Sequence, residues 1–185
     1  MFITQYITKP KQIGALCASS SKLACMMTEN IELNKAYNIA EIGAGDGAFT
    51  KNILTKKNKE ANFFVVEINK KMVNKLSQKF KDLDIELNSA LNLQEICHKK
   101  NISNLDIVIS GIPWAFLNKI EQNNLINVIY ECLKNDGYFV TFAYILPTIA
   151  KTRFRKKIYS LFKEVKMSKI IWQNIPPAFV YYCKK

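Results

Sequence analysis

The sequence predicts an α/β fold: a seven-stranded, mostly parallel sheet with helices on both faces and an antiparallel hairpin at its C-terminal end. Three observations carry that expectation. Short apolar runs recur at 37–42, 62–68, 84–89, 106–110 and 138–144, and amphipathic helical patterns fill the gaps at 48–57, 70–80, 91–99 and 119–133. That alternation builds parallel strands joined by crossover helices. The first run passes into Gly43-Ala44-Gly45-Asp46-Gly47 and then into a helical pattern (Phe49, Ile53, Leu54), a strand–loop–helix junction. After a basic helix at 149–162, two more apolar runs, 165–172 and 179–183, are separated by a break at Pro176-Pro177, which reads as a hairpin.

Taken in order, Ser19, Ser20 and Ser21 supply an N-cap for a helix running to Met27. The glycines after the first strand let the backbone turn sharply and let a ligand lie against bare main chain. The helix that follows offers unpaired N–H groups to a carboxylate or phosphate. Gly43, Glu67, Ser89 and Ser110 each fall at the carboxyl end of a strand. Ligands of open α/β sheets bind beyond those ends, so the four residues point to one shared site.

Composition bounds the rest. A chain of 185 residues suits one domain and buries enough surface to need no covalent staple. Cysteines 17, 25, 97, 132 and 183 are odd in number and lack a C-x-x-C pair, and His98 is alone and reads as a surface helix residue. The expectation is free buried thiols in a reducing compartment and no metal. The N-terminus lacks a signal-peptide pattern, and the longest uncharged runs, at 137–150 and 170–183, are too short to span a bilayer. The net charge is +12 and it is clustered: residues 1–28 hold Lys9, Lys11 and Lys22 and no acid, and residues 151–169 hold eight basic residues against Glu164. Such patches suit polyanions, either nucleic acid or an anionic membrane surface.

Glu67 follows Gly43 by 24 residues, where a carboxylate can accept hydrogen bonds from ribose hydroxyls. Gly43, Gly45 and Ala48 also satisfy the dinucleotide pattern G-x-G-x-x-G/A. Against that reading, Glu41 stands where it can meet the amino group of an amino-acid moiety, and no second mononucleotide-binding half follows. E-x-G-x-G-x-G with a downstream acid instead resembles the S-adenosylmethionine site of class I methyltransferases. The resemblance implies a Rossmann-like fold over 35–185. It sets Glu41, Gly43, Ala44, Gly45 and Gly47 at the methionyl end of S-adenosyl-L-methionine, Glu67 with Ile68 at the ribose, and Ser89 with Ala90 at the adenine. The family usually carries an acid where Ser89 stands, so Ser89 offers a hydroxyl in its place.

Further segments resemble bacterial phospholipid N-methyltransferases: Ile13-Gly14-Ala15-Leu16 with Ser19-Ser20-Ser21, where Ala18 replaces the usual proline; Ser110-Gly111-Ile112-Pro113-Trp114; Phe142 to Pro147; and Trp172-Gln173-Asn174-Ile175-Pro176-Pro177-Ala178-Phe179-Val180-Tyr181. The resemblance implies methylation of the amine of phosphatidylethanolamine, towards phosphatidylcholine, by a cytoplasmic protein peripheral to the inner face of the membrane. Ser110, Gly111, Ile112 and Pro113 would present the turn that receives the amine. Proline fixes that turn's geometry. Trp114, Phe116 and Tyr144 would offer aromatic faces to the methylated head group. Residues 1–34 would form a cap and membrane-contact segment, with Met1, Phe2, Ile3, Tyr6 and Ile7 as an apolar wedge beside Lys9 and Lys11, assisted by the basic helix near Arg153.

The charge also suits nucleic acid, and the glycine loop resembles that of rRNA adenine dimethylases. Those enzymes carry N-x-P-[FY] after the fourth strand, where this chain has Ser110 and Gly111, and they append a helical RNA-binding domain. Another amino lipid, a small-molecule amine, and a silent S-adenosylmethionine-binding protein are the remaining readings. Nothing in the sequence sets the oligomeric state.

Overall fold

A computed structural model describes residues 19–146 and 148–185. The motif at 13–16, Cys17, Ala18, the wedge residues between Met1 and Lys11, and Pro147 lie outside them. The chain runs α1 (Ser21–Met26), β1 (Asn38–Ile42), α2 (Ala48–Lys56), β2 (Asn62–Glu67), α3 (Lys70–Lys79), β3 (Asp84–Leu87), a 3-10 turn (Ala90–Asn92) into α4 (Leu93–Lys99), β4 (Leu105–Ser110), a second 3-10 turn (Trp114–Phe116), α5 (Lys119–Cys132), β5 (Leu133–Tyr144), α6 (Ile149–Leu161), β6 (Glu164–Met167) and β7 (Ala178–Lys184).

The strands form one sheet in the order β3-β2-β1-β4-β5-β7-β6. Strands β1 to β5 pair in parallel, and β7 pairs antiparallel with both β5 and β6. The expected seven-stranded sheet and antiparallel C-terminal pair are therefore present. Side chains alternate faces along each strand. Ala40 and Ile42 of β1 join Val108 of β4 and Phe139 of β5 under α4, α5 and α6. Ile39, with Val65, Ile107 and Val140, packs under α1, α2 and α3. Period-two alternation thus gives the sheet two separate apolar faces, each covered by three helices among the described residues.

The sheet order reverses between β1 and β4, and the ends of neighbouring strands are tied there by backbone bonds beyond the ladder. Gly43 N–H donates to Val66 O (2.8 Å), Gly111 N–H to Ile42 O (2.9 Å) and Asn88 N–H to Glu67 O (3.1 Å). At the opposite end, Asp106 accepts from the N–H groups of Tyr37 (2.9 Å) and Asn38 (2.7 Å) and pairs with Lys134, which fixes β1, β4 and β5 together.

The sequence reading missed three details. Strand β5 begins at Leu133 rather than Tyr138, and its pairing with β4 jumps from Leu105↔Leu133 to Ile107↔Tyr138. The intervening residues carry Asp136 at φ 62°, which reads locally as a turn. Strand β6 stops at Met167; Ile171 makes a lone bridge to Ala178, and Trp172 is exposed. Of the described cysteines, 97, 132 and 183 are buried but Cys25 is exposed.

Candidate active site

At the switch between β1 and β4 lies a cleft of about 780 Å³, counted out to its open mouth. One wall is Val66, Glu67 and Ile68 from the end of β2. A second is Asn88, Ser89, Ala90 and Leu91 after β3. The third is Gly111, Ile112 and Pro113 after β4, continued by Phe116, Leu117, Glu121 and Leu125. The floor is Gly43.

The glycine loop holds Gly43, Gly45 and Gly47 at φ 69°, 57° and 81°, in the left-handed region. Gly43 and Gly111 matter most, because two backbones meet there. A Cβ on Gly111 would collide with the Gly43 carbonyl, and one on Gly43 would lie 2.6 Å from Ile112 Cγ1. These glycines let β1 and β4 end against each other and leave bare main chain at the cleft floor. Beside a Cβ position on Gly45 there is open space.

Two carboxylates, from β1 and from β2, stand beneath the loop on one face of the sheet. Glu67 is nearly buried; one oxygen accepts from Gly45 N–H (2.9 Å) and the other from Asn69 N–H (2.9 Å). Burial pushes this carboxyl up, while the N–H groups of Asn69, Gly45 and Ile68 pull the other way. Each oxygen retains a lone pair for a ligand hydroxyl. Glu41 is fully buried on the face of β1 that packs on α2, where its Oε2 accepts from the Thr50 hydroxyl (2.6 Å). Its Oε1 has no hydrogen-bond partner among the described residues. Burial pushes its carboxyl up to about 8, with the Thr50 bond acting in the opposite direction. A buried carboxyl with an unmatched oxygen, set beneath a loop of bare main chain, has the chemistry to receive a cationic amine.

A model of the methyltransferase domain matches residues 33–181. The chain belongs to this methyltransferase family. Over its whole length it is 26% identical to an ornithine lipid N-methyltransferase of Singulisphaera acidiphila, covering 94% of that protein. Among solved structures it resembles an rRNA methylase from Streptococcus thermophilus, with TM-score 0.63, 18% identity and 87% and 93% of the two chains covered. It also resembles a magnesium protoporphyrin IX methyltransferase from Synechocystis with bound SAM, with TM-score 0.68, 10% identity and 98% and 83% covered. These last two likenesses concern the fold.

Within this methyltransferase the cleft gathers many of the residues expected from sequence: Gly43, Glu67, Ile68, Ser89, Ala90, Gly111, Ile112 and Pro113. Glu41, Ala44, Gly45 and Gly47 lie behind its lining, in or under the loop. Three expected residues face elsewhere. Ser110 is fully buried and its hydroxyl accepts from Ile112 N–H (3.3 Å), so it shapes the turn and does not line the cleft. Trp114 is 2% exposed, stacks on Phe154 with centroids 4.3 Å apart and donates its Nε1–H to Thr141 Oγ1 (3.0 Å). Tyr144 sits in the opposite core, edge-on to Phe142. Trp114 and Tyr144 are thus corrected to core positions. Strand alternation turns Ser110 and Tyr144 to opposite faces of the sheet, and the 3-10 turn rotates Trp114 inward.

Of the three aromatics expected at the head group, Phe116 is the one that lines the cleft, and sequence reasoning missed Glu121. Phe116 follows the turn, is 49% exposed and lines the cleft. Glu121 lies in the first turn of α5, where its Oε2 accepts from Asn118 N–H (2.9 Å) in a capping box. The pattern Asn118-x-x-Glu121 was the available signal. Buried Gln122 braces this wall by donating Nε2–H to Trp114 O (2.7 Å) and Ala150 O (3.1 Å). Among the described residues no group of His, Cys, Asp and Glu gathers as a metal site, and no helix is long and apolar enough to cross a membrane.

Proposed function

We propose that this chain is an N-methyltransferase that acts on the amine head group of a membrane lipid, with S-adenosyl-L-methionine as cofactor. The observation that carries the reading is the end-to-end similarity to an ornithine lipid N-methyltransferase. Phosphatidylethanolamine, giving phosphatidylcholine by stepwise methylation, and an ornithine-headed lipid are the acceptors this reading proposes.

The residues fit the cofactor. The Gly43–Gly47 loop offers bare main chain, Glu67 has spare lone pairs for ribose hydroxyls, and Ile68, Ala90 and Leu91 form an apolar slot for the adenine, with Ser89 at its edge. The unmatched Glu41 Oε1 is the group in the structure that calls for the cofactor's ammonium. When bound, S-adenosyl-L-methionine supplies a methyl group already activated on sulfonium. What remains for the chain is alignment and exclusion of water. The turn Ser110 to Pro113 directs its backbone toward the acceptor nitrogen, its shape held by the Ser110 hydroxyl and by Pro113. Phe116 gives an aromatic face to an amine that keeps its charge while losing N–H donors, worth roughly 0.5–2 kcal/mol. The Glu121 carboxylate draws the cationic head group to that side. The protein is a single domain, cytoplasmic and peripheral to the membrane.

The deciding experiment supplies methyl-labelled S-adenosyl-L-methionine to the protein with phosphatidylethanolamine vesicles, ornithine-lipid vesicles or total RNA in separate arms. Label in a lipid amine is expected. Label in RNA alone would replace this reading with that of an RNA methyltransferase, the alternative to which the basic surface is also suited.

A further inference from the structure

We propose that the surface formed by the β6–β7 connection and the start of α6, at the same end of the sheet as the cleft, is a bilayer-docking surface that inserts apolar side chains into an anionic membrane. This rests on the lipid reading of the acceptor and adds to it the partner surface and the orientation of the molecule.

The β6–β7 connection is a built loop that presents its apolar side chains outward. Ile171 is buried and bridges Ala178, with its N–H donating to Ala178 O (2.7 Å). Asn174 is 1% exposed; its Oδ1 accepts from Ser20 N–H (2.9 Å) at the cap of α1, and its Nδ2–H donates to Pro176 O (2.7 Å). With those two residues as anchors, the residues beside them are displayed to solvent: Ile170 is 44%, Trp172 64% and Ile175 84% exposed. Ile145 N–H donates to Pro177 O (3.0 Å), which ties the loop to the end of β5. There Leu146 and Ile149 are 56% and 82% exposed. Five large aliphatic or indole side chains at one edge of a soluble fold form a patch of the kind that marks an interaction site.

The position and charge of the patch select the partner. Tyr144, at the carboxyl end of β5, pairs with Ala178 of β7, so the loop lies at the same end of the strands as the cleft. Lys151 stands behind the patch, its Nζ donating to Ile145 O (2.9 Å), with Arg153 and Lys169 nearby in sequence. Between Gly137 and Lys185 the one acid is Glu164. It pairs in register with Lys184, opposite Tyr138, six residues or about 20 Å from Tyr144 along the strands. Glu121, brought near the start of α6 by the Gln122 bond to Ala150, lines the cleft. The apolar side chains rimmed by Lys151, Arg153 and Lys169 complement an anionic interface, where the aliphatic groups enter the acyl region and the cations meet phosphates. Nucleic acid would leave Ile170, Ile175, Leu146 and Ile149 without an apolar partner.

The test uses Trp172 itself, because Trp114 is enclosed. The full-length protein is mixed with phosphatidylcholine–phosphatidylglycerol vesicles that contain no amine acceptor, so docking is read apart from methylation. Trp172 emission should move to shorter wavelength and be quenched by brominated acyl chains, and both effects should vanish in Trp172→Phe. Ile175→Asp should weaken vesicle affinity about tenfold or more, yet leave methylation of a short-chain, monomeric amino lipid unchanged. Raised salt should weaken docking. If the protein fails to bind these vesicles, binds them without quenching of Trp172, or shows the emission change with RNA and not with vesicles, the docking surface is wrong. Lipid methylation in the earlier experiment would stand in each of those cases.

Discussion

Glu41 shows how one residue couples stability to ligand binding. Its carboxyl is pushed up to about 8 by burial, against an ordinary value of 4.5. The folded state therefore holds a proton that the unfolded state releases between those pH values. By linkage, stability falls as pH rises from about 4.5 to about 8 and levels off above that. Glu41→Gln keeps the Thr50 bond but lacks this titration. In thermal melts without cofactor, the variant should gain on the wild type between pH 5 and 8, reaching roughly 10 °C. It should also bind S-adenosyl-L-methionine about tenfold more weakly, because a charged hydrogen bond is lost. A constant difference across that pH range would show that Glu41 does not titrate there. Gly111 is governed by sterics instead. Gly111→Ala sets a methyl group against the Gly43 carbonyl, so a loss of about 3 kcal/mol in denaturant unfolding is expected, together with loss of cofactor binding. The glycines were legible in the sequence because backbone freedom is a local property. The protonation of Glu41 was not, because it depends on what encloses the side chain.

At the scale of elements, the turn after β4 divides the work between two aromatics, Trp114 and Phe116, two residues apart in sequence and opposite in direction. Trp114 holds the 3-10 turn to α6 through Phe154 and to β5 through Thr141. Phe116 faces the cleft. Trp114→Phe should cost about 1 kcal/mol in unfolding, from the lost indole hydrogen bond, while kcat/KM stays near that of the wild type. Phe116→Leu should leave stability nearly unchanged and raise KM most for the partly methylated acceptor, read in steady-state assays with each methylation intermediate. If the two variants exchanged these effects, the assignment of the faces would be wrong. Both residues were visible in the sequence as strand-end aromatics. Which one faces the ligand depends on the 3-10 turn and on the brace from Gln122, a buried residue whose partners are a distant turn and the start of α6. The extra residues at the start of β5 were hidden for a similar reason: Asn135-Asp136-Gly137 carries a turn signature and does turn locally, as a bulge between two stretches paired with β4.

For the whole molecule, cofactor binding should act as a stabiliser. With S-adenosyl-L-methionine at 100 times its dissociation constant, linkage adds about 2.7 kcal/mol, and the melting temperature should rise by about 5–10 °C. A similar rise with a nicotinamide dinucleotide, and none with S-adenosyl-L-methionine, would return the glycine loop to the dinucleotide reading. The sequence by itself determined the order of strands and helices, the two-faced sheet and the loop at the end of β1. These follow from hydrophobic period and glycine placement, which are written residue by residue. The tertiary structure alone decided which side chains share the cleft, that Ser110, Trp114 and Tyr144 turn away from it, and that Trp172 and Ile175 are displayed to solvent. Those outcomes depend on which elements pack against one another, and a packed neighbour is set by distance in space rather than by distance along the chain.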